Sequence, residues 1–210
     1  MSLPRRSALA FALPMLGLGC ARGGDEAPRP ASGPPSYRHL TALNLAVGTI
    51  EIVEPAPGAA TLVIPPAPIE PVVALTTMAR DRVVAAGGAG RARFAILGAS
   101  LTRQPESGGG VFSGATERIA CFLRCRLEIL GAEGEATGYA EAEIRRTSLS
   151  RAGSPGERAA AADRIVRQAM ADMNVEFEFQ VRRHLRGVLA PGAGAAAAGP
   201  APEREDLPRR

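Results

Sequence analysis

Very few residues of this chain could carry out a chemical reaction. It has two histidines, His39 and His184, and neither lies in a spacing pattern with a serine, cysteine, aspartate or glutamate. Hydrolysis needs a nucleophile beside a base, or a metal held by several ligands. The glycine-rich stretches GGAGRA and SGGGVFSG lack the lysine and serine or threonine that complete a phosphate-binding loop. We therefore expect no catalytic residue, no metal and no cofactor, and a hydrolase is the least favoured alternative.

Two of the three cysteines, Cys121 and Cys125, lie four residues apart in a segment of alternating apolar residues. In an extended strand that spacing covers about 13 Å, at roughly 3.3 Å per residue. A disulfide requires Cα atoms within about 7 Å of each other, so these two cannot form one. No histidine or third cysteine of the body completes a metal site. We predict two reduced thiols that are buried as small apolar side chains.

The third cysteine, Cys20, follows a segment that is typical of an export signal. Two adjacent arginines precede a mostly apolar run, residues 7–18, which is shorter than the roughly 20 residues that a membrane-spanning helix needs. The sequence LGLGC at its end resembles the lipobox of bacterial lipoproteins, although Gly17 stands where that family prefers leucine. The resemblance implies removal of a signal peptide, residues 1–19, and attachment of lipid to the thiol of Cys20. An ordinary signal peptide with an incidental cysteine is the alternative.

Composition divides the rest of the chain into a body and two flanking segments. Residues 20–39 and 191–210 consist mainly of glycine, proline, alanine and charged residues, which bury too little apolar surface to fold. We expect the first to be a disordered tether and the second a disordered tail. The residues between them, 40–190, are about as many as one domain contains. A net charge of +4 and an aromatic content of 4% argue against a nucleic-acid-binding surface.

Hydrophobic patterns predict three elements in the first half of the body. The segment TALNLAVGTIEIVEP predicts one strand with a β-bulge at Gly48, where the alternation shifts by one residue. Apolar residues at three- and four-residue spacing predict a helix that begins at Pro71 and stops at Gly87 and Gly88. The members of that row are Val72, Leu75, Ala79 and Val83. A second strand follows in RARFAIL.

The second half of the body predicts a hairpin and a long helix. The segment RIACFLRCRLEIL alternates apolar with charged residues, GAEG supplies the turn, and EATGYAEAEIRRTS returns with small residues on one face. Ser154, Pro155 and Glu157 are the start signal of a helix, with Ser154 as N-cap and Glu157 completing a capping box. An apolar row then recurs mostly at every fourth residue. Its members are Ile165, Ala169, Met173, Phe177, Val181, Leu185 and Val188.

The elements follow the order strand, helix, strand, strand, strand, helix. They predict an α+β fold of two layers, with two helices on one face of a mainly antiparallel sheet of about four strands. The other face of the sheet would be open and charged. It carries Arg91, Arg93, Arg124, Arg126 and Arg145 together with Glu128, Glu141 and Glu143. Two interpretations stay open: a solvated face with cross-strand ion pairs, or a docking surface for an acidic partner in which Arg124 and Arg126 take part.

The C-terminal end of the long helix is a second candidate surface. Arg182, Arg183 and Arg186 cluster there beside His184. Cations at this end of a helix complement its dipole and gain only about 0.3–1 kcal/mol each, which requires no partner. The functional alternative is a projecting helix end that binds phosphates or an acidic partner.

A cysteine after an export signal, a tether and a body with this order of elements together resemble small periplasmic lipoproteins. Two groups share the pattern, the auxiliary lipoproteins of ABC-type lipid transport systems and the lipoprotein of lipopolysaccharide assembly. Uncharacterised lipoproteins of alphaproteobacteria are more similar still. The segments that carry the resemblance are LTTMARDRVVAAGGAGRARFAILGAS and CRLEILGAEGEATGYAEAEI. It is a resemblance of topology and pattern that covers most of the body.

The resemblance implies a non-catalytic accessory protein that is anchored through Cys20 and docks on an envelope transport or assembly complex. Ala21 stands at the position where an aspartate retains lipoproteins at the inner membrane. The resemblance therefore implies an anchor in the inner leaflet of the outer membrane, on the periplasmic side. A periplasmic module that binds lipid or glycan is the alternative.

Overall fold

The computed structural model describes residues 33–106, 116–131 and 133–190. The elements in this part of the chain are β1 (Leu43–Leu45), β2 (Thr49–Val53), α1 (Pro71–Arg82), β3 (Val83–Ala85), β4 (Arg91–Glu106), β5 (Thr116–Leu130), β6 (Ala136–Arg151) and α2 (Pro155–His184). Short 3-10 turns occur at Ala59–Thr61 and Arg186–Val188. The predicted signal peptide, the tether up to residue 32 and the tail lie outside the described residues.

Four strands form the main sheet, in the order β2–β4–β5–β6. The strands β4, β5 and β6 are antiparallel neighbours, whereas β2 runs parallel to β4 at one edge. Parallel neighbours require a crossover connection, and α1 lies within the one between β2 and β4. Buried residues of both helices and of one face of the sheet form one core. The predicted α+β fold is confirmed, with a mixed sheet.

The prediction of a single bulged first strand is wrong. Leu43–Leu45 pairs in parallel with Val83–Ala85 to form a separate two-stranded sheet, and Thr49–Val53 pairs with β4. Gly48 lies between the two strands, where its N–H donates to the Gly90 carbonyl at 2.8 Å. The partner segment breaks at the same level, because the residues that pair with β1 end at Ala85 and those that pair with β2 begin at Arg91. The shift in alternation therefore marks a change of sheet.

The first helix also ends earlier than its apolar spacing predicted. It begins at Pro71 as expected, and Leu75 and Ala79 are buried. The helix stops at Arg82, and Val83 already has extended backbone angles, φ −105° and ψ 118°. Two consecutive valines favour a strand, and β1 offers them a partner. The predicted stop at the two glycines is therefore the end of β3 and not of α1.

The central hairpin agrees with its prediction. In β5 the residues Cys121, Leu123, Cys125, Leu127 and Ile129 are buried, and the turn after Leu130 joins β5 to β6. The inner face of β6 carries the small buried residues Ala140 and Ala142, against which α2 packs. The register of the sheet shifts at two places, between Ile96 and Gly98 of β4 and between Ile129 and Leu130 of β5.

The long helix α2 begins with the predicted capping box. Ser154 Oγ accepts a hydrogen bond from Glu157 N at 3.3 Å, and Glu157 Oε2 accepts one from Ser154 N at 2.7 Å. The predicted row is buried from Ile165 to Leu185. The helix ends at His184, so Val188 lies in the following 3-10 turn. At 1.5 Å per residue, α2 is about 45 Å long.

We expect Gly48→Ala to lower the free energy of unfolding by about 1–3 kcal/mol, because extra atoms are forced into a packed site. A Cβ atom there would lie 2.7 Å from the backbone oxygen of Gly88. Gly58→Ala is the matched control, since a Cβ at that position meets no atom within 4 Å. Urea unfolding of both variants measures the difference, and equal stabilities would contradict the close approach of these two loops.

Candidate functional site

The two arginines that the sequence singled out on the sheet are held by one carboxylate. Arg124 Nε donates to Glu141 Oε1 at 2.7 Å, and Arg126 Nε donates to Glu141 Oε2 at 2.8 Å. Burial alone would raise the pKa of Glu141, but the hydrogen bonds from both guanidinium groups outweigh it and lower the pKa. The arginines therefore share one partner whose ionised form is favoured by the hydrogen bonds that they donate to it.

Two further arginines of the open sheet face also have carboxylate partners. Arg93 lies within ion-pair distance of Glu51 and Glu128, and Arg145 Nε donates to Glu143 at 2.9 Å. This arrangement matches the interpretation of a solvated face with cross-strand ion pairs. The face offers alternating charges and little excess of either sign to a partner.

The arginines at the end of α2 have different surroundings. Arg182 Nε donates to Glu178 at 2.8 Å, one helical turn before it. The guanidinium of Arg183 lies 5.9 Å from the ring centroid of Phe179. Arg186 is exposed in the 3-10 turn that follows the helix. Within the described residues, neither Arg183 nor Arg186 forms an ion pair with a carboxylate, so their charges face solvent.

A second apolar row on α2 was missed by the reasoning from sequence. Ala171, Val175 and Phe179 are exposed at four-residue spacing, and the exposed fractions of Val175 and Phe179 are 69% and 52%. The sequence contains the pattern that could have revealed this row, because its apolar residues have the same four-residue spacing as the buried row and lie two residues out of phase with it. The side chains of one outward surface, here called the outer α2 face, are Arg164, Gln168, Ala171, Val175, Phe179, Arg182 and Arg183.

The outer α2 face contains no carboxylate. The acidic residues between positions 160 and 184 lie beside it and are half-buried. Each has a partner. The pairs are Asp163 with Arg167, Asp172 with Arg146, Glu176 with Gln180, and Glu178 with both Arg82 and Arg182. The result is a surface with an apolar middle and arginines toward both ends.

A cleft of about 390 Å³ lies at the far end of the β4–β5 pair, beside a buried ion pair. Arg103 Nη1 donates to Glu117 Oε1 at 2.7 Å, and both side chains are only 5–6% exposed. Arg158 of α2 reaches the other oxygen of Glu117 at 3.3 Å. Arg103 also donates to the backbone oxygens of Pro66 and Arg158, each at 3.0 Å. The network fastens the start of α2 to the sheet.

The cysteines and histidines, which could take part in a reaction, lie apart from one another. Cys121 and Cys125 are buried free thiols, as predicted, and burial raises the pKa of Cys121 to about 12. His39 and His184 are exposed, and His184 borders a cleft with Tyr139. Within the described ranges, no group of three or more histidine, cysteine or acidic side chains could hold a metal ion.

The segment that leads toward Cys20 is fastened to the body at one buried carboxylate. Asp81 of α1 accepts hydrogen bonds from Ser36 Oγ at 2.9 Å, Tyr37 N at 2.8 Å and Arg38 Nε at 3.0 Å. The ring of Tyr37 is buried, and its hydroxyl donates to the Met170 carbonyl of α2 at 3.1 Å. We call these contacts the tether junction. Ordered packing therefore begins before residue 40, the predicted start of the body.

Electrostatics favour the charged form of Asp81 at the tether junction. Burial alone would raise the pKa of Asp81, but the hydrogen bonds from Tyr37, Arg38 and Ser36 outweigh burial and hold the pKa below its ordinary value of 3.8. Burial also raises the pKa of the Tyr37 phenol to about 12, so this group remains a neutral donor.

Cys20 itself lies outside the described residues. No helix in the part of the chain that the structure describes is long and apolar enough to span a bilayer.

No protein-family model matches this chain, and no curated protein matches it. Three solved structures with some similarity are bacterial lipoproteins. The minor lipoprotein of Acinetobacter baumannii is 10% identical, with a TM-score of 0.37 over 70% of this chain and 98% of that one. Uncharacterised lipoprotein B of Nitrosomonas europaea is 16% identical, with a TM-score of 0.37 over 68% of this chain and 88% of that one.

The third structure, rare lipoprotein B of Shewanella oneidensis, is 20% identical, with a TM-score of 0.28 over 62% of this chain and 99% of that one. At TM-scores below 0.5 these similarities carry no conclusion about the family or function of this chain. The resemblance to transport auxiliaries and to alphaproteobacterial lipoproteins stays a prediction.

We expect Asp81→Asn to lower the free energy of unfolding by about 1–3 kcal/mol, because three donors, Ser36 Oγ, Tyr37 N and Arg38 Nε, lose a charged acceptor. The pKa of Asp81 is depressed in the folded protein, so its contribution is present above its ordinary pKa of 3.8 and is lost as pH falls through the lower native value. Chemical unfolding of wild type and variant from pH 7 down to pH 3 measures this. The stability difference should shrink only in the most acidic samples.

Asp172→Asn is the control, since Asp172 belongs to a pair that is about 40% exposed on both sides. Exposed pairs contribute only about 0–1 kcal/mol. Equal effects of the two substitutions at neutral pH would show that the tether junction is no stronger than a surface contact.

Proposed function

We propose that this chain is a non-catalytic accessory protein of the bacterial envelope. It is anchored by lipid on Cys20 in the inner leaflet of the outer membrane and holds its α+β body in the periplasm, where the body docks on a transport or assembly complex. The export signal and the LGLGC sequence support the anchor.

The observation that carries the proposal is the tether junction. An anchor can position a body only if the connecting chain is fixed to that body. Here one carboxylate, Asp81, receives three hydrogen bonds from three consecutive residues, Ser36 to Arg38. The buried ring of Tyr37 extends the attachment to α2 through Met170. Both helices are therefore linked directly to the segment that leads to Cys20.

The ionised state of three partly buried acids favours an accessory role over a hydrolase. A general acid or base works best when its pKa lies near the operating pH. For Asp81, Glu141 and Glu178, burial acts to raise the pKa, but hydrogen bonds and nearby guanidinium groups outweigh it, so each pKa is lowered. These groups stay ionised and serve as fixed acceptors that hold elements together.

The arginines that the sequence singled out differ in their suitability for docking. Arg124 and Arg126 are engaged by Glu141, so a partner would have to compete with an existing ion pair. Arg183 and Arg186 have no such competitor among the described residues. The helix end is therefore easier for an anionic partner to bind than the sheet face, and it is continuous with the outer α2 face.

One observation favours a glycan-binding module as the second candidate. A cleft of about 380 Å³ is lined by Tyr139, Glu141, Gln180 and His184. An aromatic ring beside amide, imidazole and carboxylate groups offers both an apolar surface and hydrogen bonds to a sugar. Binding of soluble envelope glycans in equilibrium dialysis, lost in Tyr139→Ala and unchanged in Leu149→Ala, would favour this candidate over the adaptor.

Metabolic labelling with radioactive palmitate tests the anchor directly. We expect the wild type to incorporate label and Cys20→Ala to incorporate none. Cys121→Ala is the control, because it removes a buried thiol of the body and keeps Cys20. Equal labelling of Cys20→Ala would place the lipid elsewhere and overturn the proposed anchor.

Crosslinking in intact cells tests the accessory role. Purification of the wild type should recover a recurring transport or assembly component, and Cys20→Ala should lose it because the body is no longer held at the membrane. Turnover of an envelope substrate by the purified protein, abolished by changing one histidine or carboxylate, would contradict the accessory role and favour an enzyme.

A further inference from the structure

We propose that the outer α2 face lies against a bilayer surface that carries anionic lipid headgroups. In this arrangement Val175 and Phe179 enter the headgroup region, and Arg164 and Arg183 bind lipid phosphates on either side of them. The inference rests on the proposed function, because the anchor at Cys20 brings the body to the membrane. It adds the orientation of the body and the chemistry of the surface that α2 contacts.

Charge is the first argument. The outer α2 face has arginines at positions 164, 182 and 183 and no carboxylate, because the acidic residues of the same helix lie at its flanks and are paired. Arg164 and Arg183 have no carboxylate partner within the described residues, so they need no existing bond broken to meet a phosphate. Each arginine near an anionic bilayer raises the affinity of the protein for that bilayer about fivefold.

The apolar row is the second argument. Val175 and Phe179 are more than half exposed although α2 has a complete buried row on its other side. An apolar middle with arginines toward the ends is the pattern of helices that lie in the membrane interface. The guanidinium of Arg183 lies over the ring of Phe179 at 5.9 Å, so the two can enter a headgroup layer together.

The shape of the surface favours a membrane over a protein groove. The outer α2 face is one side of a continuous helix, and Arg164 and Arg183 are about 28 Å apart along it at 1.5 Å per residue. A long convex ridge fits a flat, laterally uniform array of phosphates. The open sheet face is the contrasting case, because Arg93, Arg124 and Arg145 there already pair with Glu128, Glu141 and Glu143.

The path of the chain is the fourth argument. The carbonyl of Gly33 accepts a hydrogen bond from Arg167 Nη2 of α2 at 2.9 Å. Cys20 precedes Gly33 by 33 − 20 = 13 residues, a stretch that can span at most about 45 Å. The anchored segment thus joins the body beside α2, and the anchor keeps this helix near the membrane. An apolar row this small needs such a second attachment to bind stably.

The test uses the lipid-modified protein, purified in detergent and reconstituted into vesicles of phosphatidylethanolamine and phosphatidylglycerol. Val175→Cys is labelled with an environment-sensitive dye, because Cys121 and Cys125 are buried and lipid occupies the Cys20 thiol. We expect a blue shift of the emission and quenching by brominated lipids. Leu149→Cys is the matched control, since Leu149 is 65% exposed on the open sheet face and should show neither effect.

The double variant Arg164→Gln, Arg183→Gln tests the role of charge. We expect the ratio of lipid-contacting to free protein, read from the Val175 probe, to fall by about 25-fold, or about fivefold for each arginine. The protein that keeps both arginines should show the same fall in this ratio on vesicles without phosphatidylglycerol. Thermal unfolding of the double variant should match that of the parent, because neither arginine forms an ion pair within the described residues. Arg145→Gln on the sheet face should leave the quenching unchanged.

The outcomes separate this inference from the proposed function. Protein that carries lipid on Cys20 but shows no lipid contact at position 175 overturns the inference and leaves the anchor standing. A photoreactive residue at position 179 that crosslinks in cells to a protein, and not to lipid, also overturns it and assigns the face to the partner complex. Absence of lipid on Cys20 overturns both.

Discussion

The packing of α2 across β5 and β6 is the interaction on which the rest of the structure depends. It works because the inner face of β6 carries small residues, Ala140 and Ala142, which let a helix approach closely. Phe177 of α2 meets Phe94 of β4 edge to face, with ring centroids 5.5 Å apart. A helix held in this way has one row of residues inside the core, and its opposite row must face outward.

Burial of that row also decides where the charges go. Apart from Glu176, the acidic residues at the flanks of α2 and on the sheet pair with nearby arginines. These pairs connect elements, as Glu117 does for the start of α2. Breaking such a buried pair by removing one partner typically costs about 3–5 kcal/mol. The two surfaces that remain differ in kind: the sheet face is balanced in charge, and the outer α2 face is apolar and cationic.

Patterns of short range predicted much of this fold. The capping residues Ser154 and Glu157 and the alternation in β5 depend only on neighbours in sequence, and the structure confirms both. The predictions were wrong where the outcome depends on distant partners, as at Gly48, where the chain changes sheets, and at Val83–Ala85, which pairs with β1. The outer row of α2 has the same spacing as the buried row. Only the position of the sheet determines which of the two faces solvent.

The central claim is that the chain is attached to the membrane through Cys20. Mass spectrometry of the N-terminal peptide of the mature protein tests it most directly. The account predicts a chain that begins at Cys20, with a lipid group on the thiol and an acyl group on the new N-terminus. A mature chain that keeps residues 1–19, or an unmodified thiol at Cys20, would contradict it.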